Sequence, residues 1–188
     1  QDFHLDAIRW MKAMFSLGFH ARLNAERGLG CIQTVSALLL ELALGNHRNW
    51  GGHLIIVPSY IISVWELTLQ LLCPQLRVFV LDSWCERKST SDVPSPFAEG
   101  TAHDTGFNIC LSSYVYARLH QTKLRRLRWQ ALVIDSAEKI DDFDHDHVSF
   151  LSTISCSWRL LLGSWGSDEE DLLCAKFLLP HPLPGVPD

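Results

Sequence analysis

The run Leu54-Ile55-Ile56-Val57, which Pro58 terminates, decides the fold class of this chain. It is apolar at every position and rich in β-branched side chains, which is typical of a strand buried on both faces. Further short runs that are apolar except for one terminal residue follow it along the chain, over residues 77–81, 108–111, 131–135 and 159–162. These runs predict the strands of a buried sheet.

Segments of helical periodicity alternate with these strands, over residues 2–17, 32–45, 61–72, 113–120 and 168–179. This alternation predicts an α/β fold, in which a parallel sheet carries helices on both faces. Ligands of such sheets bind at the carboxyl ends of the strands. The loops to inspect are therefore residues 24–31, 58–60, 135–140 and 163–167.

Length and composition bound the class of protein. A chain of 188 residues with 47% hydrophobic residues and seven Trp is long enough for one domain with a true core, and is not disordered. A net charge of -5 excludes a globally basic nucleic-acid coat but leaves room for a local basic patch. No uncharged apolar run approaches the roughly 20 residues that span a bilayer. We expect no membrane segment.

Six cysteines are scattered without any Cys-x-x-Cys pair, which favours reduced thiols in an intracellular protein. The first residue is Gln1 instead of Met, so we expect an excised or partial domain. Residues 83–106 are rich in Ser, Thr, Asp, Pro and Gly, which predicts a surface loop or insertion.

The glycine turn Gly28-Leu29-Gly30 opens the second helix. Backbone N–H groups at such a turn can hold phosphate, with help from the helix N-terminus. A working Walker A loop also needs Lys for the phosphates and Ser or Thr for Mg²⁺, and here Cys31 and Ile32 follow instead. Taken alone, the segment is equally typical of a tight turn without a ligand.

The strand Leu132-Val133-Ile134 ends in Asp135, which is the layout of a Walker B segment. In such a segment the acid holds Mg²⁺ through its water shell. Strands also end in Asp for reasons of turn geometry, so this signal too is weak by itself.

Together and in this order, the two segments make the chain resemble the first RecA-like lobe of the Swi/Snf-type chromatin-remodelling ATPases, closest to the Swr/SRCAP/p-four-hundred branch. The resemblance runs from about residue 2 to residue 182. Further strings stand in the family's order: Trp10-Met11, Ile32-Gln33-Thr34, Asn49-Trp50-Gly51, His53 to Pro58, Trp65-Glu66, Cys73-Pro74, residues 107–114, Trp129, and residues 159–162 and 177–180.

This resemblance implies a P-loop NTPase helicase lobe over residues 1–182, with the insertion at 83–106 and a disordered tail at 183–188. It implies ATP and Mg²⁺ as ligands, with Asp135 as the magnesium acid and a nucleotide site of His4, Gly28, Leu29, Gly30, Cys31, Ile32 and Gln33. It also implies duplex DNA or a nucleosome as partner, on a track of Pro58, Ser59, Ser112, Ser113 and Tyr114. The resemblance further implies that the protein lies in the nucleus and binds subunits of a remodelling complex. It also implies a second RecA-like lobe, which is missing from this chain.

Departures from the family pattern fall on the catalytic groups. A residue is missing from the phosphate loop, and Cys31 stands where the family has Lys-Thr. His4 replaces the Gln that contacts adenine, and Ser136 replaces the Glu that orients the attacking water. The segment after Leu162 is shortened as well. Since losing one such group costs roughly 10²–10³-fold in rate, we expect no ATP hydrolysis.

Three functions stay open at this point. The leading one is a catalytically degenerate lobe that acts as a DNA- or nucleosome-associated module or as a protein-interaction module. The second is an active DNA-dependent ATPase lobe whose damaged motifs reflect errors in the sequence or the gene model. The third is a pure interaction scaffold that binds neither nucleotide nor DNA.

Several other features have both a purely structural and a functional interpretation. The cluster Lys123, Arg125, Arg126 and Arg128 is either a patch for DNA or an acidic partner, or a solvated face. Cys31 at a helix N-terminus is either a thiol of lowered pKa or a packed thiol. Residues 141–147 predict an acidic surface loop, and Trp10, Trp65 and Trp129 are predicted core residues.

Overall fold

The computed structural model describes residues 2–24, 29–45, 52–81, 107–136, 145–163, 174–175 and 177–178. Its helices are α1 (Asp2–Leu17), α2 (Cys31–Leu44), α3 (Ile62–Leu72), α4 (Tyr114–Leu119), α5 (Gln121–Arg126) and α6 (His145–Ser152). Its strands are β1 (Ala21–Asn24), β2 (His53–Val57), β3 (Val78–Leu81), β4 (Ile109–Ser113), β5 (Trp129–Asp135) and β6 (Cys156–Gly163). The insertion at 83–106 and the tail at 183–188 lie outside the described residues.

The six strands form one sheet in the order β1-β6-β5-β2-β4-β3, and every neighbouring pair is parallel. In its centre, Leu54 of β2 lies beside Leu132 of β5 on one side and Cys110 of β4 on the other. The prediction of a parallel sheet is confirmed.

Alternating side chains of the central strands feed two separate cores. Leu54 and Ile56 pack in the core under α4, α5 and α6, whereas Ile55 and Val57 pack in the core under α1, α2 and α3. Every residue of β2, β4 and β5 is buried, as expected for strands that are covered on both faces. The uninterrupted apolar run at residues 54–57 therefore follows from the position of β2 in the middle of the sheet.

The predicted core tryptophans are partly correct. Trp65 and Trp129 are fully buried, one in each core, and the indole Nε1 of Trp129 donates to the carbonyl oxygen of Leu124 at 3.0 Å. The prediction for Trp10 is wrong, because 41% of this residue is exposed. Trp10 lies on the outward side of α1, whereas Ala7 and Met11 of the same helix are buried in the core.

Three elements escaped the sequence analysis, namely β1, α5 and α6. The strand β1 reads Ala-Arg-Leu-Asn, which is too short and too polar to stand out, and its pairing with β6 defines it. Helix α6 begins at His145, so the predicted acidic loop over 141–147 is wrong at its end. Residues 174–175 and 177–178 are helical, in agreement with the last predicted helix, and the rest of that helix lies outside the described residues.

A buried arginine holds this last segment against the sheet. Arg159 of β6 is 5% exposed, and its guanidinium donates to the carbonyl oxygens of Phe177 at 2.7 Å and Ser152 at 2.9 Å. The guanidinium also lies 5.0 Å from the centre of the Phe177 ring. Within the described residues these contacts include no carboxylate, and they connect residue 177 to the end of α6.

The described helices include none that is long and apolar enough to cross a membrane. The five cysteines in the described part of the chain are thiols, and no disulfide joins them.

His53 makes the stability of the fold depend on pH. The side chain is buried, and within the described part of the chain neither ring nitrogen has a hydrogen-bond partner. Burial lowers the pKa of His53 from 6.5 to about 4. The unfolded chain therefore binds a proton more readily than the folded chain does between these two values.

Acidification should destabilise the fold through His53. The penalty begins as the pH falls below 6.5 and is complete near pH 4, where it reaches about 3 kcal/mol at most. Urea unfolding at about pH 7.5 and about pH 4.5 measures it, with His53→Leu as the comparison. We expect the variant to lose less stability on acidification than the native chain. An equal loss in both chains would contradict the assignment.

Candidate functional site

One edge of the sheet brings the candidate residues together. Because all six strands are parallel, their carboxyl ends meet at this edge. The glycine turn precedes α2, Asp135 ends β5, Pro58 follows β2, and Ser113 ends β4. Residues that are far apart in the sequence thus line a single edge, as the strand pattern predicted. Gly28 lies outside the described residues.

The glycine turn before α2 contains a left-handed backbone conformation, which favours glycine. Gly30 is the N-cap of α2 and has φ +72°, in the left-handed region. A Cβ atom at this position would lie 2.7 Å from Cε1 of the His4 imidazole. The ring of His4 therefore occupies the space directly above the turn. The predicted neighbours Leu29 and Gln33 are exposed beside it, and Ile32 is half-buried.

A hydrogen-bond chain holds the His4 ring in that place. The Thr34 hydroxyl donates its proton to the carbonyl oxygen of Gly30 at 2.9 Å. Nδ1 of His4 lies 2.6 Å from the same hydroxyl oxygen, within hydrogen-bonding distance. These hydrogen bonds connect α1 to the first turn of α2. Thr34 is a site residue that the sequence analysis did not single out.

Cys31 presents a neutral thiol to the turn. It is the first residue of α2 and is half-buried. Burial, and then the negative charge of Asp135, raise the pKa of the Cys31 thiol. The hypothesis of a lowered pKa at this helix N-terminus is therefore wrong. A neutral thiol supplies no positive charge to a phosphate, in contrast to the lysine that the resemblance leads one to expect.

The Asp135 carboxylate accepts hydrogen bonds on both of its oxygens. Oδ2 accepts from the indole Nε1 of Trp65 on α3 at 2.8 Å, and Oδ1 accepts from the Ser136 hydroxyl at 3.1 Å. The carboxylate is 9% exposed, so these bonds lie in a low-dielectric surrounding. The backbone carbonyl of the same residue accepts from the Tyr114 hydroxyl at 2.9 Å. Asp135 thus joins β5 to α3 and α4.

Ser136 occupies an unusual backbone conformation. Its φ of +55° is the one positive value for a non-glycine residue in the described part of the chain. Its backbone N–H donates to the carbonyl oxygen of Leu162 at 2.9 Å, and its side chain turns toward Asp135. The Ser136 hydroxyl is not a base. It therefore cannot orient a water molecule in the way that the resemblance implies for a Glu at this position.

The predicted DNA track is mostly turned inward. The Ser112 hydroxyl is buried and donates to the carbonyl oxygens of Leu81 at 3.2 Å and Ser113 at 3.1 Å. The Ser113 hydroxyl caps α4, where it accepts from the N–H of Tyr116 at 3.2 Å. Tyr114 is buried as well, and its hydroxyl donates to the backbone carbonyl oxygen of Asp135.

The other end of this track faces outward. Ser59 is exposed and Pro58 is half-buried at the carboxyl end of β2. Ser59 is therefore the member of the track whose hydroxyl can meet a phosphate from solvent.

A magnesium nucleotide would be held here by the turn amides and by Asp135. The space above Gly30 contains the His4 ring, and the carboxylate oxygens already accept from Trp65 and Ser136. Within the described residues, no group of three or more His, Cys, Asp or Glu side chains could hold a metal ion.

A parallel sheet with a glycine turn before α2 and an acid at the end of β5 defines the class of RecA-like lobes. The sequence profile of SNF2-related domains matches residues 4–164. The chain belongs to this family.

Curated relatives agree with this assignment. Helicase SWR1 of Gibberella zeae is 30% identical over 164 residues, which are 86% of this chain and 9% of the relative. Helicase domino of Drosophila melanogaster is 32% identical over 156 residues, which are 82% of this chain and 5% of the relative. The chain therefore spans a tenth or less of the length of these relatives.

Solved structures show the same fold. The SWI2/SNF2 ATPase core of Sulfolobus solfataricus, in complex with double-stranded DNA, has a TM-score of 0.76 and 23% sequence identity. The match covers 95% of this chain and 35% of that core. A second solved structure, the SWI2/SNF2 ATPase core domain of Sulfolobus solfataricus, has a TM-score of 0.71 and 23% sequence identity.

Asp135 should contribute to folding in proportion to the hydrogen bonds that it accepts. Asp135→Ala leaves the buried indole N–H of Trp65 without its acceptor, which should cost about 1–3 kcal/mol of unfolding free energy. Asp135→Asn keeps one oxygen and should cost less. Urea unfolding measures both variants. Asp6→Asn is the control, because Asp6 is an exposed acid that pairs with Arg9, and we expect a change within about 0.5 kcal/mol.

A gain of stability in Asp135→Asn would contradict this account. Such a gain is expected for an acid that is kept for a metal ion and is strained in its absence.

Proposed function

We propose that this lobe does not hydrolyse ATP and that it acts as a DNA- or nucleosome-associated module in the nucleus. The observation that carries the proposal is the separation of charge within the chain. Residues 107–134 contain five cationic side chains and no Asp or Glu, although the chain as a whole has a net charge of -5. All five side chains are exposed: Arg118, Lys123, Arg125, Arg126 and Arg128. We call them the basic patch.

The basic patch suits contact with a phosphate backbone. Sequence-independent DNA binding comes from Lys and Arg that neutralise phosphates and release counterions. Three cations lie in the last turn of α5, where the helix dipole favours positive charge. The guanidinium of Arg125 lies 5.6 Å from the centre of the Phe150 ring, so α6 supports one of these side chains. The related core of Sulfolobus solfataricus, which was solved with double-stranded DNA, supports the same partner class.

The catalytic half of the proposal rests on the candidate site. Phosphoryl transfer requires positive charge on the phosphates and a group that orients water. Cys31 is a neutral thiol at the first of these positions, and Ser136 is a hydroxyl at the second. His4 covers the turn, and Asp135 accepts bonds from Trp65. The lobe therefore keeps the architecture of the family, and its former catalytic groups serve the fold.

Binding of duplex DNA should depend on the basic patch and on salt. Fluorescence anisotropy with a labelled duplex of about 20 base pairs measures affinity between about 50 and 200 mM salt. Lys123→Gln with Arg126→Gln should weaken binding roughly tenfold at low salt and lower the salt slope by about 2. The matched control is Arg9→Gln with Lys12→Gln, which removes the same charge from α1. We expect the control to bind like the native chain.

Three results would overturn the proposal in distinguishable ways. Equal losses in the patch variant and the control would mean that net charge alone drives binding. No DNA binding at low salt would favour the pure scaffold. ATP turnover that DNA stimulates, measured on the same preparation and lost in Asp135→Ala, would favour the active lobe.

A further inference from the structure

Helix α4 presents two exposed aliphatic side chains in the same segment as the basic patch. Tyr114 and Ala117 of this helix are buried in the core, whereas Val115 and Leu119 are 61% and 67% exposed. Residues four positions apart are neighbours on the surface of a helix, so Val115 and Leu119 form one apolar spot. We call these two residues the aliphatic pair.

Cations lie on both helices that meet at the aliphatic pair. Arg118 comes from α4 itself and is exposed beside Leu119 in the chain. Helix α5 follows after His120, whose carbonyl oxygen accepts from the backbone N–H groups of Lys123 at 2.9 Å and Leu124 at 3.0 Å. These bonds hold the first turn of α5 at the end of α4, so the cations of α5 lie close to the aliphatic pair. The surface therefore combines apolar and positively charged groups.

Two aromatic rings stand next to the aliphatic pair. Tyr116 and His120 each follow one member of the pair by one residue, and both are half-buried. Their ring centres lie 6.3 Å apart, with 24° between the ring planes, so the two rings stack. The backbone N–H of Tyr116 donates to the Ser113 hydroxyl at 3.2 Å, which fixes this turn of α4. The aliphatic pair is thus bordered by ordered rings on one side.

This combination selects a partner that carries both negative charge and apolar groups. Release of counterions from DNA needs only the cations, so the aliphatic pair adds nothing to a phosphate contact. An acidic peptide with apolar anchors offers carboxylates to the cations and buries the aliphatic pair. Residues 107–134 contain no Asp or Glu that would repel such a peptide. We propose that the aliphatic pair and the basic patch together bind an acidic peptide with two apolar side chains four residues apart.

Such a peptide regulates the access of DNA to the lobe. The carboxylates of the peptide and the phosphates of DNA need the same cations, so the two ligands compete. The competition rests on the function proposed above, whereas binding of the peptide does not. Two aliphatic anchors and a few exposed charge pairs give modest affinity, with a dissociation constant on the order of 10–100 µM.

Fluorescence anisotropy with a labelled peptide of about 16 residues tests this proposal. The peptide consists of Glu and Ala, with two Leu four residues apart. Val115→Ser with Leu119→Ser should weaken its binding about tenfold, because the apolar contact is lost, and should leave the affinity for duplex DNA unchanged. Lys123→Gln with Arg126→Gln should weaken both ligands about tenfold. Unlabelled peptide should displace labelled duplex from the native chain.

The matched control is Val64→Ser with Leu67→Ser, which removes two aliphatic side chains of α3 that are 48% and 56% exposed. This variant should bind the peptide like the native chain, and circular dichroism checks that both variants are folded.

Equal binding of a peptide with Ser in place of both Leu would overturn the proposal, because charge alone would then explain the affinity. So would equal losses of peptide and DNA binding in Val115→Ser with Leu119→Ser. Binding of phosphatidylserine vesicles without binding of the peptide would assign the surface to a membrane and overturn it as well. Peptide binding by a chain that does not bind DNA would refute the function proposed above, whereas the peptide site would stand.

Discussion

The buried carboxylate of Asp135 is the constraint on which the rest of the site depends. A carboxylate that is 9% exposed must have its oxygens satisfied, because an unpaired charge in a low-dielectric interior costs several kcal/mol. Trp65 satisfies one oxygen and Ser136 the other, and Tyr114 binds the backbone carbonyl of the same residue. Hydrogen bonds to this one residue thus connect β5 to α3, to the first residue of α4 and to the left-handed turn at Ser136.

Side chains from several elements also satisfy polar groups along the carboxyl edge of the sheet. In the turn before α2, Thr34 and His4 form a chain of hydrogen bonds that covers Gly30. At the end of β4, the Ser112 hydroxyl donates to the carbonyl oxygen of Leu81 at the end of β3. The Ser113 hydroxyl accepts from the N–H of Tyr116 in α4. Groups at the ligand-binding edge are thus satisfied by the chain itself. The basic patch, by contrast, is exposed to solvent.

The sequence predicted the elements that carry their own signal. Residues 54–57 and 131–134 are apolar at every position, which is typical of a strand covered on both faces. The strand β1 has no such run, because an edge strand with Arg22 and Asn24 needs its pairing with β6 to be recognised. The candidate residues lie at the carboxyl edge as the strand pattern predicted, but the hydrogen bonds among them were not foreseeable. Trp65 and Asp135 are 70 residues apart, and the Cys31 pKa depends on burial and on that distant acid.

Thermal unfolding with saturating ligands tests the central claim, which is that the site edge is complete without nucleotide. A ligand at about 100 times its dissociation constant adds about 2.7 kcal/mol to the folded state, which raises the unfolding temperature by several degrees in a chain of this size. We predict that millimolar magnesium–ATP leaves the unfolding temperature unchanged, whereas duplex DNA at low salt raises it. A rise with magnesium–ATP that Asp135→Ala abolishes would contradict the account.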